Sequence, residues 1–207
     1  MNSKTFFSLI APAKLNLFLH INARRDDGYH ELETLFTFLN FGDELSFELT
    51  DEPSISITGD TKGIPLEDNL IYKAALMLQT DAKTKHGVKI NLIKRLPMGG
   101  GVGGGSSDAA TTLLALNKLW NINYDINKLS NLGLQLGADV PVFIRGESAI
   151  AQGIGEKLHR VELAQKWYCV VHPNQHVSTA KIFTHPDLKR DTPKILGDWK
   201  EHDLHND

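Results

Sequence analysis

The sequence predicts an α+β fold: a sheet-rich first part that carries amphipathic helices, followed by the start of a second unit. Three observations predict it. Apolar and polar residues alternate through much of the first ~60 residues, a half-buried strand pattern. The run "GVKINLIKRLP" (Gly87–Pro97) leads directly into six glycines between Gly99 and Gly105, and a helix-like stretch follows at once. Beyond a polar stretch at 160–166, a further apolar run, "WYCVVHP", begins with no obvious pairing partner.

The elements follow in order. In "KLNLFLHI", Leu15, Leu17, Leu19 and Ile21 point one way and Lys14, Asn16, Phe18 and His20 the other, as in a strand. "RRDDGYH" reads as a solvated turn, tightest at Asp27-Gly28. "LETLFTFL", "DELSFEL" and "SISITGD" read as further strands. Asp68 is placed to cap a helix from Asn69 to about Gln79, with Leu70, Ala74 and Leu78 on one stripe. In Gly87–Pro97, Val88, Ile90 and Leu92 alternate with Lys89, Asn91 and Ile93. Leu113, Leu116 and Trp120 mark a helix after the glycines, and Leu129, Leu132 and Leu136 mark another. "PVFIRG" and "SAIAQGIG" read as strands, Trp167–His172 as a strand opening the second unit, and "STAKIF" as a short helix.

Composition excludes several classes. Net charge is −3 over 207 residues, and the basic residues are scattered, so nothing pulls the chain toward nucleic acid or an anionic membrane. The apolar run "FFSLI" near the N-terminus is too short for a signal peptide, which needs ~7–15 residues. No run reaches the ~18 apolar residues of a membrane span. A single cysteine, Cys169, cannot form an internal disulfide and fits a reducing compartment; its apolar neighbours predict a buried thiol. These features predict a cytoplasmic protein.

The glycine run carries the chemistry. Gly99, Gly101 and Gly104 satisfy G-x-G-x-x-G, but a dinucleotide site needs an acidic residue at the end of a second strand ~20 residues on, and no strand precedes Asp125. A P-loop needs Gly-Lys-Ser/Thr, whereas Ser106 and Ser107 follow Gly105 directly. The companion motifs of protein kinases are missing, and a serine-hydrolase elbow would need glycine where Asp108 stands. What remains is a strand, a flexible loop and a helix start, with Ser106 placed as N-cap. Successive backbone N–H groups there form an anion cradle, helped by the helix dipole. A close-packing hairpin is the plain alternative.

Two distant segments supply complementary groups. "APAKLNLF" puts Lys14 and Asn16 on one strand face, and "LGADVPVF" puts Asp139 just after a helix. Phosphoryl transfer to an alcohol needs a carboxylate to take the hydroxyl proton and a cation for the phosphate charge. On the residues alone, Lys14 also reads as a surface lysine and Asp139 as a turn residue.

"PMGGGVGGGSSDAA" closely resembles the ATP-binding loop of the GHMP kinases. "APAKLNLFL", "DGYHELETLF", "DNLIYKAA" and "GLQLGADVPVF" extend the resemblance from about Leu9 to about Pro193 and narrow it to one branch. The resemblance implies a two-domain GHMP kinase fold: a mixed-sheet N-terminal ATP-binding domain at 1–162 and a partial α/β C-terminal domain at 163–207. It implies ATP-dependent phosphorylation of the 2-hydroxyl of a cytidine diphosphate-linked methylerythritol, in non-mevalonate isoprenoid precursor synthesis. Other GHMP small-molecule kinases, or an ATP-binding module without turnover, are the alternatives. It also implies site roles. Pro97, Met98, Gly99, Gly100, Gly101, Val102, Gly103, Gly104, Gly105, Ser106 and Ser107 would wrap the ATP phosphates, and Asn69 and Lys94 would border the adenine. Asp139 would be the base, Lys14 its neighbour, and Asn16 would orient the hydroxyl. Tyr29, His30 and Phe183 would hold the cytosine, with Thr179 near the substrate. Mg²⁺ would arrive with ATP, its ligands undefined. A small-molecule substrate, a monomer or weak homodimer, and no nucleic-acid or membrane partner complete the expectation.

Two departures stand out. The late Gly-Thr-Gly-Ala-like motif of these kinases has no match here, which predicts an impaired enzyme for this 207-residue chain. Asp108 stands where relatives often carry Asn or Ala. His172 and His176 have a helical metal-ligand spacing, but Pro173 intervenes, and His202 and His205 sit in a polar tail, so a dedicated metal site is not expected.

Overall fold

The computed structural model describes residues 6–61, 63–173, 179–195 and 206–207. Its spine is one long strand, β2 (His30–Thr50). Strand β1 (Phe6–Arg24) runs antiparallel along one edge of it, in register from Phe6↔Glu48 to Arg24↔His30. The other edge is shared. β4 (Gly87–Ile93) pairs with Glu44–Thr50, and β5 (Ala149–Gly153) pairs with Leu32–Phe36, both antiparallel. β3 (Ile55–Gly59) lies parallel to β4, and β6 (Lys157–Arg160) antiparallel to β5, so the sheet is mixed. The helices are α1 (Leu70–Ala82), α2 (Gly104–Leu119), α3 (Ile126–Leu136), α4 (Val140–Arg145) and α5 (Thr179–Thr184).

The main core lies between sheet and helices. Phe36, Leu45, Phe47, Val88, Ile90 and Leu92 meet Ile71, Ala74, Leu78, Leu113 and Leu116. Each large side chain buried here stabilises the fold by about 1.5–3 kcal/mol. The alternation of Val88, Ile90 and Leu92 is what puts β4 face-down on this core. A smaller cluster of Phe18, Leu35 and Ile150 takes Leu17, Val161, Leu163 and Ile195, which anchors the chain beyond β6.

Several sequence expectations are corrected. In β1 the two alternating sets do not divide cleanly into a buried and an exposed face: Lys14, Phe18, His20 and Ile21 are buried while Leu15, Asn16, Leu17 and Leu19 are half-buried. Register shifts at Pro12/Lys14, Asn16/Phe18 and Ile21/Ala23 reset which residues face inward. "LETLFTFL" and "DELSFEL" belong to one strand, because β1 supplies ladder partners on both sides of the intervening "NFG". Asn69, not Asp68, caps α1: its Oδ1 accepts from Ile71 N–H at 2.9 Å, while Asp68 ends a short 3₁₀ turn. Ser106 is not the N-cap of α2; Gly103 occupies that position and no side chain caps it.

"PVFIRG" is helical, as α4. A short apolar run does not distinguish strand from buried helix. Pro141 suits a first helical turn, and Gly146, at φ 66°, closes the helix with its N–H on Val142 O. Trp167–His172 forms no strand, and the described sheet offers it no neighbour. Cys169 is accordingly exposed rather than buried. No helix among the described residues is long and apolar enough to cross a membrane.

Candidate active site

The glycine loop is held from below by Asp43, a fully buried carboxylate in the middle of β2. Its Oδ1 accepts from Arg95 N–H at 2.6 Å and Leu96 N–H at 2.8 Å, and its Oδ2 takes the Lys94 ammonium at 2.5 Å. Lys94 also reaches Asp108 Oδ2 at 2.8 Å. The exit of β4 is thus fixed to β2 and to the first turns of α2. From there Gly99, Gly101 and Gly103 adopt left-handed φ of 69°, 71° and 74°. Gly103 is the tightest: a Cβ there would lie 2.6 Å from the Phe143 ring and 3.1 Å from the Lys14 chain. Val102 is buried, and its carbonyl accepts from Lys14 N–H at 3.0 Å, which ties the loop to β1.

α2 begins at Gly104 without a side-chain cap, and its first backbone bond is Ser107 N–H to Gly103 O. The N–H groups of its opening turn therefore face an anion site with the helix dipole behind them. A cavity of about 420 Å³ sits there, lined by Pro97 to Ser106 with Asn69 and Lys94. Ser107 does not line it; its Oγ is buried and has no hydrogen-bond partner among the described residues. Asn69 reaches the wall while spending its Oδ1 on the α1 cap.

Asp108 lines the same cavity. Burial raises its carboxyl to about 7, against the pull of Lys94 and with a further push from Asp43. Burial works to lower the Lys94 ammonium, and Asp108 and Asp43 outweigh it, leaving Lys94 above its ordinary value. Two carboxylates share one cation. Asp43 has three donors, whereas Asp108 Oδ1 has none, so Asp108 is where a proton settles.

Lys14 and Asp139 meet at the end of the loop. Lys14 Nζ lies 3.4 Å from Asp139 Oδ2, 2.5 Å from Asn16 Oδ1 and 4.8 Å from the Phe36 ring centre. Asn16 Nδ2–H donates to Thr34 Oγ1, and Thr34 Oγ1–H donates to Phe18 O, so the polar chain across β1 and β2 is fixed. Asp139 occupies the N-cap position of α4, yet its carboxylate caps nothing. It stays over one-third exposed while the Lys14 side chain is 6% exposed. One acceptor faces solvent and one buried cation stands beside it.

A second cavity, about 550 Å³, includes Ala138, the residue before Asp139, in its lining. Tyr29, His30 and Phe183 all line it. The His30 and Phe183 rings are 5.1 Å apart at 30°. Tyr29 is largely exposed at the β1–β2 turn, its N–H held by Asp27 Oδ1. Thr179 opens α5, and its side chain lies outside the described residues, as do His176, His202 and His205. Among the described residues no cluster of three His, Cys, Asp or Glu could hold a metal.

Sequence reasoning missed Asp43 and Arg190. Asp43 is an acidic residue inside an apolar strand run, a detectable oddity. Arg190 lines the second cavity and donates to His30 from 160 residues away, with no local motif to announce it.

A mixed sheet, a left-handed glycine loop on an uncapped helix and a buried lysine paired with a solvent-facing aspartate define a small-molecule kinase of the GHMP class. The family model described as GHMP kinases N terminal domain matches residues 69–147. A Pseudoalteromonas translucida protein, 4-diphosphocytidyl-2-C-methyl-D-erythritol kinase, is 78% identical over 207 residues, all of this chain and 73% of that protein. A Tolumonas auensis protein of the same name is 58% identical over 95% of this chain and 70% of its own length. The chain belongs to the 4-diphosphocytidyl-2-C-methyl-D-erythritol kinase family. A crystal structure of 4-(cytidine 5'-diphospho)-2C-methyl-D-erythritol kinase superposes with TM-score 0.68 at 44% identity, over 76% of this chain and 56% of that one. Homoserine kinase from Cytophaga hutchinsonii shares the fold at 20% identity and TM-score 0.63, over 88% of this chain and 60% of that one.

Proposed function

We propose that this chain phosphorylates the 2-hydroxyl of 4-diphosphocytidyl-2-C-methyl-D-erythritol with ATP, a step of non-mevalonate isoprenoid precursor synthesis. The observation that carries this reading is the Lys14–Asp139 pair at 3.4 Å, with Lys14 N–H on the carbonyl of Val102, which lines the first cavity, and Asp139 next to Ala138, which lines the second. ATP lies along the glycine loop, its phosphates on the backbone N–H groups from Gly99 to Ser106, with Asn69 and Lys94 bordering the base. Asp139 accepts the hydroxyl proton as that oxygen attacks the γ-phosphorus. The bond from the γ-phosphorus to the bridging oxygen breaks, and ADP carries the electron pair away. Lys14 offsets charge on the transferring group, and Asn16 orients the hydroxyl. Tyr29, His30 and Phe183 hold the cytosine, with Thr179 nearby.

Mg²⁺ supplies further charge neutralisation when it arrives on ATP. Such a metal would be held mainly by phosphate and water, and Ser106 and Asp108, which line the cavity, would be among the side chains available to it. The domains are read as 1–162 and 163–207. The net charge of −3 weighs against nucleic-acid or anionic-membrane partners, and a cytoplasmic monomer or weak homodimer completes the reading.

A substrate panel tests the reading: the cytidyl compound, mevalonate and homoserine, each with ATP and Mg²⁺, scored by ADP and phosphorylated product. Product from the cytidyl compound alone is expected. Product only from mevalonate or homoserine would make it a different GHMP kinase. ATP binding without product would make this 207-residue chain a nucleotide-binding module.

A further inference from the structure

We infer that Arg190 is a positioning residue: it fixes His30 as a neutral imidazole with its proton on Nδ1, and so sets which pyrimidine edge the second cavity accepts. The geometry carries this. Arg190 Nε–H donates to His30 Nε2 at 3.2 Å. A guanidinium has five N–H donors and no acceptor, so the nitrogen facing it must be the acceptor. Nε2 is therefore unprotonated, and Nδ1 is left as the donor for a ligand.

The other guanidinium nitrogens are equally committed. Nη1–H donates to Leu188 O at 2.8 Å, and Nη2–H donates to Phe183 O at 2.9 Å and His185 O at 2.8 Å. One guanidinium thus ties the end of α5, with the Phe183 ring, to the imidazole beneath that ring. The charged groups acting on His30 are Arg190 beyond α5 and Arg24 on β1. Both are cations, and together with burial, the first cause, they lower its proton affinity. Protonation of Nε2 would place a new cation against Arg190, so the neutral form persists at physiological pH.

The specificity consequence rests on the cytidyl reading above. Cytosine offers an acceptor at N3, whereas uracil carries N3–H. A fixed Nδ1–H donor meets the first as a partner and the second as a clash of donors. A site with its polar groups committed rejects the mismatched ligand more strongly than a rotatable one.

Two-bond ¹H–¹⁵N correlation on histidine-labelled protein reads the tautomer directly and needs no variant. Nε2 without a proton and Nδ1 with one is the expected pattern; an Nε2–H pattern overturns the inference. Arg190→Met should mix the tautomers and raise the pH at which His30 titrates. It should also lower the preference for the cytidyl substrate over its uridyl analogue about tenfold, one mis-set hydrogen bond. Its effect on the KM of the cytidyl compound should exceed that on the KM of ATP, and Arg190→Lys should recover part of the preference. An unchanged tautomer and unchanged preference in a folded Arg190→Met protein also overturn it. If the tautomer is as expected but the cytidyl compound neither binds nor reacts, the substrate reading falls while the Arg190 lock stands.

Discussion

The two cavities are built by opposite means. Half of the residues lining the nucleotide-side cavity come from one contiguous, glycine-rich run, Pro97 to Ser106, where the main chain is the surface on offer at each glycine. The second cavity is assembled from Tyr29 and His30 at one turn and Phe183 and Arg190 more than 150 residues away, and offers side chains. Phosphate is the same anion in every ATP-dependent kinase, and backbone N–H groups suit it without any choice of side chain. A base and a polyol vary, so they are read by side chains that vary too. Lys14 and Asp139 stand on the seam: Val102 O ties Lys14 to the first cavity, and Ala138 ties Asp139 to the second.

The largest expected effect lies on that seam. Asp139→Asn removes the acceptor and should lower kcat by about 10²–10⁴. Affinity for a non-hydrolysable ATP analogue, by calorimetry, should change less than threefold, roughly 0.65 kcal/mol. Near-normal turnover would remove Asp139 from the chemistry. Loss of ATP affinity on the same scale as kcat would dissolve the division between seam and cavity.

Next comes the foundation of the first cavity. Asp43→Asn puts an amide where a fully buried carboxylate holds Lys94, and the amide N–H₂ faces the ammonium donor to donor. Breaking a buried charged network this way costs about 3–5 kcal/mol. Urea denaturation should read it, and ATP affinity should fall because Arg95 and Leu96 launch the loop. A loss under 1 kcal/mol, roughly the scale of an exposed pair, would mean the loop holds its shape unaided.

The two turns allow a matched pair of substitutions. Gly103→Ala combines φ 74° with a Cβ 2.6 Å from Phe143. It should cost roughly 1–3 kcal/mol and weaken ATP binding. Gly28→Ala, at φ 88°, meets nothing within 4 Å, so only the backbone preference of about 1–2 kcal/mol applies. Gly28→Ala should disturb the cytidyl ligand more than ATP. The opposite ranking would show that the turns do not serve separate cavities.

What was legible in the sequence follows the same division. Periodicity located β4, α1, α2 and α3, because each buries one face at its own period: β4 under the helices, α1 and α2 on the sheet, and α3 against the other helices. The glycine loop was legible because left-handed φ and close approach to Phe143 leave few residues but glycine. Asp139 and Lys14 were legible as candidate chemistry, but their pairing entered through resemblance, since no periodicity places residues 125 apart at one ion pair. The buried face of β1 was not legible because bulges are invisible to alternation. α4 was misread because five consecutive buried apolar residues, Val140 to Ile144, fit either period, and Cys169 because an apolar run needs a neighbouring edge to be buried. Arg190 was illegible, as its partner His30 is fixed only by tertiary packing.

The smallest effect concerns Asp108, and its sign distinguishes a buried proton from an ordinary carboxylate. Its carboxyl is raised from 3.8 to about 7, so between those values the folded chain binds a proton that the unfolded chain has released. Stability from this group is full below pH ~4 and is lost as pH rises through about 7. Asp108→Asn deletes that titration while its amide oxygen still accepts from Lys94. The stability of wild type relative to Asp108→Asn should therefore decline as pH climbs across this window and level off above it. The effect at neutrality stays modest, because much of the wild-type population already carries the proton and presents a neutral carboxyl of the amide's shape. Urea midpoints for both proteins at several pH values would read the slope. A slope of the other sign would mean that Lys94 keeps both Asp43 and Asp108 ionised, with the negative charge standing at the mouth of the phosphate cradle.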